Sequence, residues 1–427
     1  MKRLAVLGTV ATFAIASIAA VPRTAHAQLT MQMGNGWSLS FSGNVNAFEI
    51  ETFSSGAPAD VTYGQVASSE GTTNRVRTGL LPAFAVFDVK GKEGPLDLGV
   101  HFGFAPQIQN GGGSGGTTHD QFGAQIDMRQ VYLTLGGSWG QILAGREIGL
   151  YQRENILTDM TLTGVGAAGS QIGNGGTTLG RIGFGYTYPN FNAQITYSSP
   201  ATNDVVLSIG LFDPSTLNGE SGPAMFTRLP RVEAELTWTG KIGTPAAGAA
   251  GDKVMFWVGG TWQEANFNGN TNIPGDTSGT SVNDSTRSAE GGDAGIKLDV
   301  GQLSIVGSGY YDKGVGTTLM FTTNAGFDAV GQARTSFGYI GQITYKIDPK
   351  WMLGVSLGAS NLLMTDQDRL TDNLALLKDN LDGSAMITYQ WTKSLRFVAE
   401  YDYVESVNYA FQANKVNQVD AGFMLFF

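Results

Sequence analysis

The chain has 427 residues, with 60 Gly, 13 Pro and no Cys, and only 42% of its residues are hydrophobic. A cysteine-free chain carries no disulfide framework; a continuous soluble core of this length would be richer in Leu, Ile and Val, so the composition points to alternating strands with one wet face. Its 26 basic and 36 acidic residues, a net charge of −10, argue against nucleic acid as a partner.

At the N-terminus, Lys2 and Arg3 precede an apolar run over 4–21, and Ala25-His26-Ala27 forms a small-x-small site before Gln28. This is the pattern of a secretory signal peptide, residues 1–27, with an apolar core too short for a membrane anchor. Residues 28–427 then form a single mature domain. Removing Lys2, Arg3 and Arg23 leaves 23 basic against 36 acidic residues, a net charge of −13, which leans mildly toward cations over anions in any pore.

From Trp37 onward the chain alternates. Trp37, Leu39, Phe41, Val45 and Ala47 interleave with Ser38, Ser40, Ser42, Asn44 and Asn46, the period of a strand between water and an apolar medium. A polar loop over about 54–71 leads to a return strand over 74–90. There Arg75 and Arg77 take one face and Val76, Leu80, Phe84 and Val86 the other. Strands over 96–107, 126–135 and 141–146 follow, separated by a glycine-rich loop at 110–121 and a short turn at 136–140. The longest irregular stretch spans 147–178, and a strand over 181–197 comes next. Strand pairs then continue to the end, with tight turns at Asp348-Pro349-Lys350 and Thr392-Lys393-Ser394 and a charged loop over 365–372.

The count is about 16 strands, joined alternately by long and short connections. The fold this predicts is all-β: a transmembrane antiparallel β-barrel with long extracellular loops and short periplasmic turns. Trp37, Trp139, Trp238, Trp351 and Trp391 all fall beside the short connections, as an aromatic girdle at one membrane interface requires. A barrel of this size is too wide for its wall side chains to fill, so the lumen is an aqueous channel unless a loop enters it. The stretch 147–178 is the natural candidate, because Ile156, Leu157, Met160 and Leu162 supply an apolar piece able to pack on the inner wall.

The last twelve residues, VNQVDAGFMLFF over 416–427, put Val419, Ala421, Phe423, Leu425 and Phe427 on one face of a closing strand. This segment, together with MRQVYLTLGGSWGQILAGRE over 128–147 and the segments IGLFDP at 209–214 and LPRVEAELTW at 229–238, resembles the Gram-negative general porins. The resemblance implies a Gram-negative outer-membrane location and a homotrimer. It also implies a third loop folded inward to narrow the pore, and a terminal Phe with alternate hydrophobics (Phe423, Leu425, Phe427) read by the barrel-assembly machinery. On that basis Glu147, Glu154 and Asp159 form an acidic side of the constriction. Arg75, Arg77, Arg146 and Arg181, with Arg129 beside them, form a basic wall. Opposed charges across a narrow waterway orient dipolar solutes and tune ion preference.

The expected function is therefore passive diffusion of small hydrophilic solutes and ions, with a substrate-selective channel as the alternative, since the extra length lies in loops. Outside transport, the competing classes are an outer-membrane hydrolase and an adhesin. Enzyme motifs dissolve on inspection. Gly112-Gly113-Ser114-Gly115-Gly116 lacks a following helix, and Gly164-Val165-Gly166-Ala167-Ala168-Gly169 lacks a βαβ setting. After removal of the signal only His101 and His119 remain, without metal-ligand spacing. No cofactor is expected. The acidic loop with Asp366, Asp368 and Asp372 is the one place for a loop-bound Ca²⁺ or for a divalent bridge to lipopolysaccharide, although these residues lack EF-hand spacing.

Overall fold

The computed structural model describes residues 29–55, 61–64, 70–109, 126–168, 176–220, 222–224, 227–243, 251–267, 285–321 and 325–427; the proposed signal peptide, His119 and the GGGSGG stretch lie outside them. Sixteen strands form the wall. The first eight are β1 (Ser38–Ser54), β2 (in two pieces, Gly71–Arg77 and Phe84–Glu93), β3 (Leu96–Pro106), β4 (Ile126–Gly137), β5 (Gly140–Ile148), β6 (Phe191–Ser198), β7 (Val205–Phe212) and β8 (Arg231–Ile242). The second eight are β9 (Asp252–Phe267), β10 (Ser285–Val300), β11 (Leu303–Lys313), β12 (Thr335–Lys346), β13 (Trp351–Leu363), β14 (Leu377–Gln390), β15 (Leu395–Asn408) and β16 (Ala413–Phe426).

Each strand pairs antiparallel with its neighbours, and β16 closes on β1 from Asn44↔Phe426 to Ser54↔Val416. Closure pairs every edge, which is what a strand wall needs in lipid. Below the end of β16, a short strand Leu29–Gln32 completes the seam on Ser38–Phe41 of β1. Phe427 locks it from the other direction: its carbonyl accepts from Gly43 N at 2.8 Å, its N–H donates to Gly43 O at 3.0 Å, and its ring lies 5.3 Å from that of Phe41.

Alternation sets the two faces. On β16, Val419, Phe423 and Leu425 are about half exposed on the outside, while Met424 and Asp420 are buried inside. The short connections carry the expected girdle. Trp139 stacks near Tyr197 at 6.3 Å and Trp238 near Phe256 at 5.6 Å, while Trp351 lies tilted against Tyr389 at 4.5 Å, with Trp391 beside that pair.

Three local departures from the expected pattern matter. The second strand is broken at 78–83, where Leu80 and Leu81 turn into the lumen and the face parity changes, so Phe84 and Val86 point inward rather than outward. The strand expected over 181–197 begins only at Phe191, because 176–190 belongs to the inward loop. The charged loop at 365–372 contains a short helix, α2 (Asp366–Leu370), capped reciprocally by Thr365 and Asp368.

At the extracellular mouth one guanidinium ties several connections together. Arg334, fully buried, bonds both carboxylate oxygens of Asp368 at 2.8 and 2.6 Å, reaches Glu220, donates to Ala325 O and Phe327 O, and lies over the Tyr63 ring. Asp368 also receives Asn373 Nδ2 at 3.0 Å, and Asp366 pairs with Arg369 at 2.9 Å. Asp366, Asp368 and Asp372 therefore do not converge on a common ion site: Asp368 is held by Arg334 and Asp366 by Arg369.

Candidate pore constriction

The segment between β5 and β6, described over 149–168 and 176–190, folds into the barrel and packs there. It opens with a helix, α1 (Arg153–Thr158), and a 3-10 turn, Met160–Thr163. Ile156, Leu157, Met160 and Leu162 join Ile182 and Tyr186 against wall residues Phe84, Phe191, Val398, Met424 and Phe426. Burial of four such side chains at about 2 kcal/mol each opposes the entropy of ordering the loop. A second piece, described over 315–321 and 325–327, enters beside it: Val315, Met320, Phe321 and Phe327 are buried, and Tyr188 N donates to Thr318 O at 2.8 Å.

Polar staples fix the segment to walls on several sides. Leu150 N and Tyr151 N donate to Glu233 Oε2 of β8 at 2.8 and 3.1 Å, and the Tyr151 hydroxyl bonds Asp312 of β11. Arg153 pairs with Glu235 of β8. Asn155 donates to Asp293 of β10 at 3.3 Å and accepts from Trp257 Nε1 of β9 at 2.9 Å. Met160 N donates to Gln342 of β12 at 3.0 Å. Farther along, Glu400 Oε2 of β15 accepts from Val165 N at 2.7 Å and Gly166 N at 3.0 Å, and Gln418 of β16 brackets Ala168 N and Gly166 O. The chain passes so close to the wall at Gly164 that an added Cβ would lie 2.0 Å from Glu400 Oε1.

The expected site residues do not assemble as an acidic loop facing a basic wall. Arg75 and Arg77 do point inward, opposite Ile50 and Phe48, and Arg77 donates to Gly176 O of the loop at 2.9 Å. Arg129 lies inside, paired with Asp127 at 2.8 Å and 5.6 Å over the Phe191 ring. Arg181 sits on the loop rather than on a strand and forms a fully buried pair with Asp382 of β14 at 3.2 Å.

Arg146 faces outward. It is exposed and stands level with Val131 and Ala193, in the rank of outward residues that includes Leu133, Ala144 and Ile195. The reason is parity: β5 runs on to Ile148, so of two adjacent residues only Glu147 can face the lumen. Glu147 is thus a wall residue, accepting from Gln130 Nε2 and Ile148 N. Asp159 turns back into its own loop, accepting from Thr161 and, at 2.7 Å, from the Tyr186 hydroxyl. Burial pushes its carboxyl up, against the opposing pull of Arg181 and those hydrogen bonds. Glu154 is only partly covered; burial and the neighbouring Glu235 raise its carboxyl to about 7, with Arg153 and Lys297 opposing.

The acidic wall residues Glu233, Glu235, Asp293, Asp312, Asp382, Glu400, Asp402 and Asp420 were not singled out from the sequence as a site. Their inward parity beside Arg231 and on the last two strands was legible; the loop they hold was not. Among the described residues, Glu400, Asp402 and Asp420 form the one group of three carboxylates close enough to share an ion.

No helix among the described residues is long and apolar enough to cross a membrane; the crossing is made by strands. No curated protein matches the sequence. The fold is similar to that of the outer membrane channel DcaP of Acinetobacter baumannii, with a TM-score of 0.64 at 16% identity over 93% of this chain and 99% of that one. It is also similar to an anion-selective porin from Comamonas acidovorans, at 0.58 and 10% over 92% and 100%. A third similar structure is OmpT of Vibrio cholerae in its trimer form, at 0.53 and 14% over 92% and 100%. The family model described as Gram-negative porin matches residues 11–409, and with a closed 16-strand wall in the outer membrane, the chain belongs to the Gram-negative porins.

Proposed function

We propose that this porin passes small hydrophilic solutes and ions passively, without catalysis, with a mild preference for cations set where α1 meets β8 and β10. One observation carries this reading. The loop that fills much of the lumen leaves Arg153, Glu154 and Lys297 only partly covered around Glu235, so solvated charge of both signs gathers at one place. A transverse field there orients dipolar solutes, and the excess of acidic over basic residues in the chain as a whole, 36 against 26, leans the channel toward cations. Arg75, Arg77 and Arg129 are proposed as the basic flank, and Glu147 and Asp159 as residues that hold the loop in position. Phe423, Leu425 and Phe427 are proposed as the signal read during barrel assembly after export under residues 1–27, and the working form as a homotrimer among lipopolysaccharide.

The test is planar-bilayer recording of the purified protein in a KCl gradient at neutral pH. The expected reversal potential is cation-selective, and E154Q with E235Q together move it toward zero. An unchanged potential in that double variant, or an anion-selective native channel, would overturn the assignment. His101 does not support the hydrolase alternative: Asp88 holds its Nδ1 at 2.8 Å, but its buried Nε2 has no hydrogen-bond partner among the described residues, so no serine hydroxyl is placed for it to activate.

A further inference from the structure

The outward face of the barrel carries two charged positions where lipid would tolerate neither. Arg146 on β5 is one; along β4 the outward residues beyond its partner Val131 are Met128 and Ile126, both exposed and apolar. Among the described residues it has no ion-pair partner. The other is on β1, where Glu49 and Glu51 stand between Ala47 and Phe53 on the outside. There they are level with Val76 and Asn74, and Asn74 Nδ2 donates to Glu49 Oε1 at 3.0 Å. Elsewhere the membrane-level outward rows are apolar, as in Val205, Leu207, Ile209 and Leu211 of β7, and the other outward charges stand near the extracellular ends, where Glu290 lies opposite Lys313 and Glu405 pairs with Lys415 at 3.6 Å. Charge within an apolar belt is costly unless it is paired.

We infer that these two positions meet between copies of this chain, Arg146 of one protomer pairing with Glu49, and through it Glu51, of the next. The inference rests on the trimeric reading above and names the faces that make it. On a ring of 16 strands, β1 and β5 are four strands, a quarter-turn, apart. In a closed ring of three equal cylinders the two contact lines on each cylinder are about 60° apart. Positions a quarter-turn apart straddle those lines symmetrically, so the β1 flank of one copy faces the β5 flank of its neighbour. In a two-fold dimer both flanks would turn away from the single contact line. The surface between them, Val76, Phe87, Phe102 and Leu133, is apolar and exposed or half-buried, as the core of a contact between barrels requires.

The full-length protein in mild detergent tests this by light-scattering mass and by migration on unheated gels, with far-UV circular dichroism to show that the barrel is intact. R146E and E49R are each expected to lose the trimer, and the exchange E49R/R146E to regain it. Because the native chain has no Cys, a double E49C/R146C variant treated with a short bis-maleimide should give dimer and trimer bands, and each single variant none. Trimers that survive both single reversals, or an exchange or cysteine pair that fails, would overturn the inference. So would intact R146E trimers that have lost bound lipopolysaccharide, which would make a lipid headgroup the partner. A native protein that runs as a monomer would remove the trimeric reading itself.

Discussion

Arg334 shows how one side chain organises a surface. Its buried guanidinium faces Asp368 in a two-point pair and also reaches Glu220. Burial alone would raise the Asp368 carboxyl, but the hydrogen bond and charge of Arg334 bring it down to about 2. Because the folded value lies below that of a free Asp near 3.9, this contribution is complete above about pH 4 and lost as the pH falls toward 2. After solvent screening it is worth about 1–2 kcal/mol. R334A strands the buried carboxylate and is expected to destabilise the loops by about 3 kcal/mol. The check is limited proteolysis of the extracellular loops at neutral pH: the variant should be nicked much faster than the native protein, while R334K falls between them. Glu154 gives the matching test inside the channel. With its carboxyl raised to about 7, cation preference should weaken as the pH drops from 8 to 6, and E154Q should remove that dependence in bilayer recordings.

At the scale of elements, the inward loop is held less by its own secondary structure than by wall carboxylates that accept from its backbone. α1 is only six residues long and lacks a side-chain cap, too short to persist alone. Glu400 satisfies two adjacent backbone N–H groups, Val165 and Gly166. E400A leaves both buried without an acceptor, a local cost of about 2–4 kcal/mol. The expected result in single-channel records is flickering between the native current and a larger one, with the steady native level restored by E400Q, whose carbonyl still accepts.

Sequence alternation made the strands legible because each face meets a uniform medium, as the outward Val419, Phe423 and Leu425 illustrate. It also pointed to the apolar quartet of the loop. It could not show that the second strand breaks at 78–83, since Leu80 keeps the alternating pattern while Gly79 and Leu80 turn to bond with Gly164 and Thr178 across the lumen. Nor could it settle Arg146: one residue of uncertainty in where β5 ends reverses every face assignment along it. The constriction is not legible from the strand pattern for a related reason. Parity says that Glu233 and Asp312 face inward, but only the folded loop shows that they meet Tyr151 and its neighbours rather than open water.

For the molecule as a whole, closure of the ring depends on a seam between the two ends of the chain. Phe427 contributes both backbone groups and its ring to that seam. Deleting it is expected to lower the yield of heat-modifiable barrel in outer-membrane fractions several-fold while leaving synthesis and export unchanged; equal yields would show that the seam closes without it.

The knot at Arg334 has a consequence for whatever meets the cell from outside. It fastens residues from four separate connections, around Tyr63, Glu220, Phe327 and Asp368, so the outer relief of the protein is a composite assembled from distant parts of the chain. An antibody or phage fibre matched to that relief would recognise a conformational epitope, blind to any single peptide from it, and changing one arginine would erase the whole target at once.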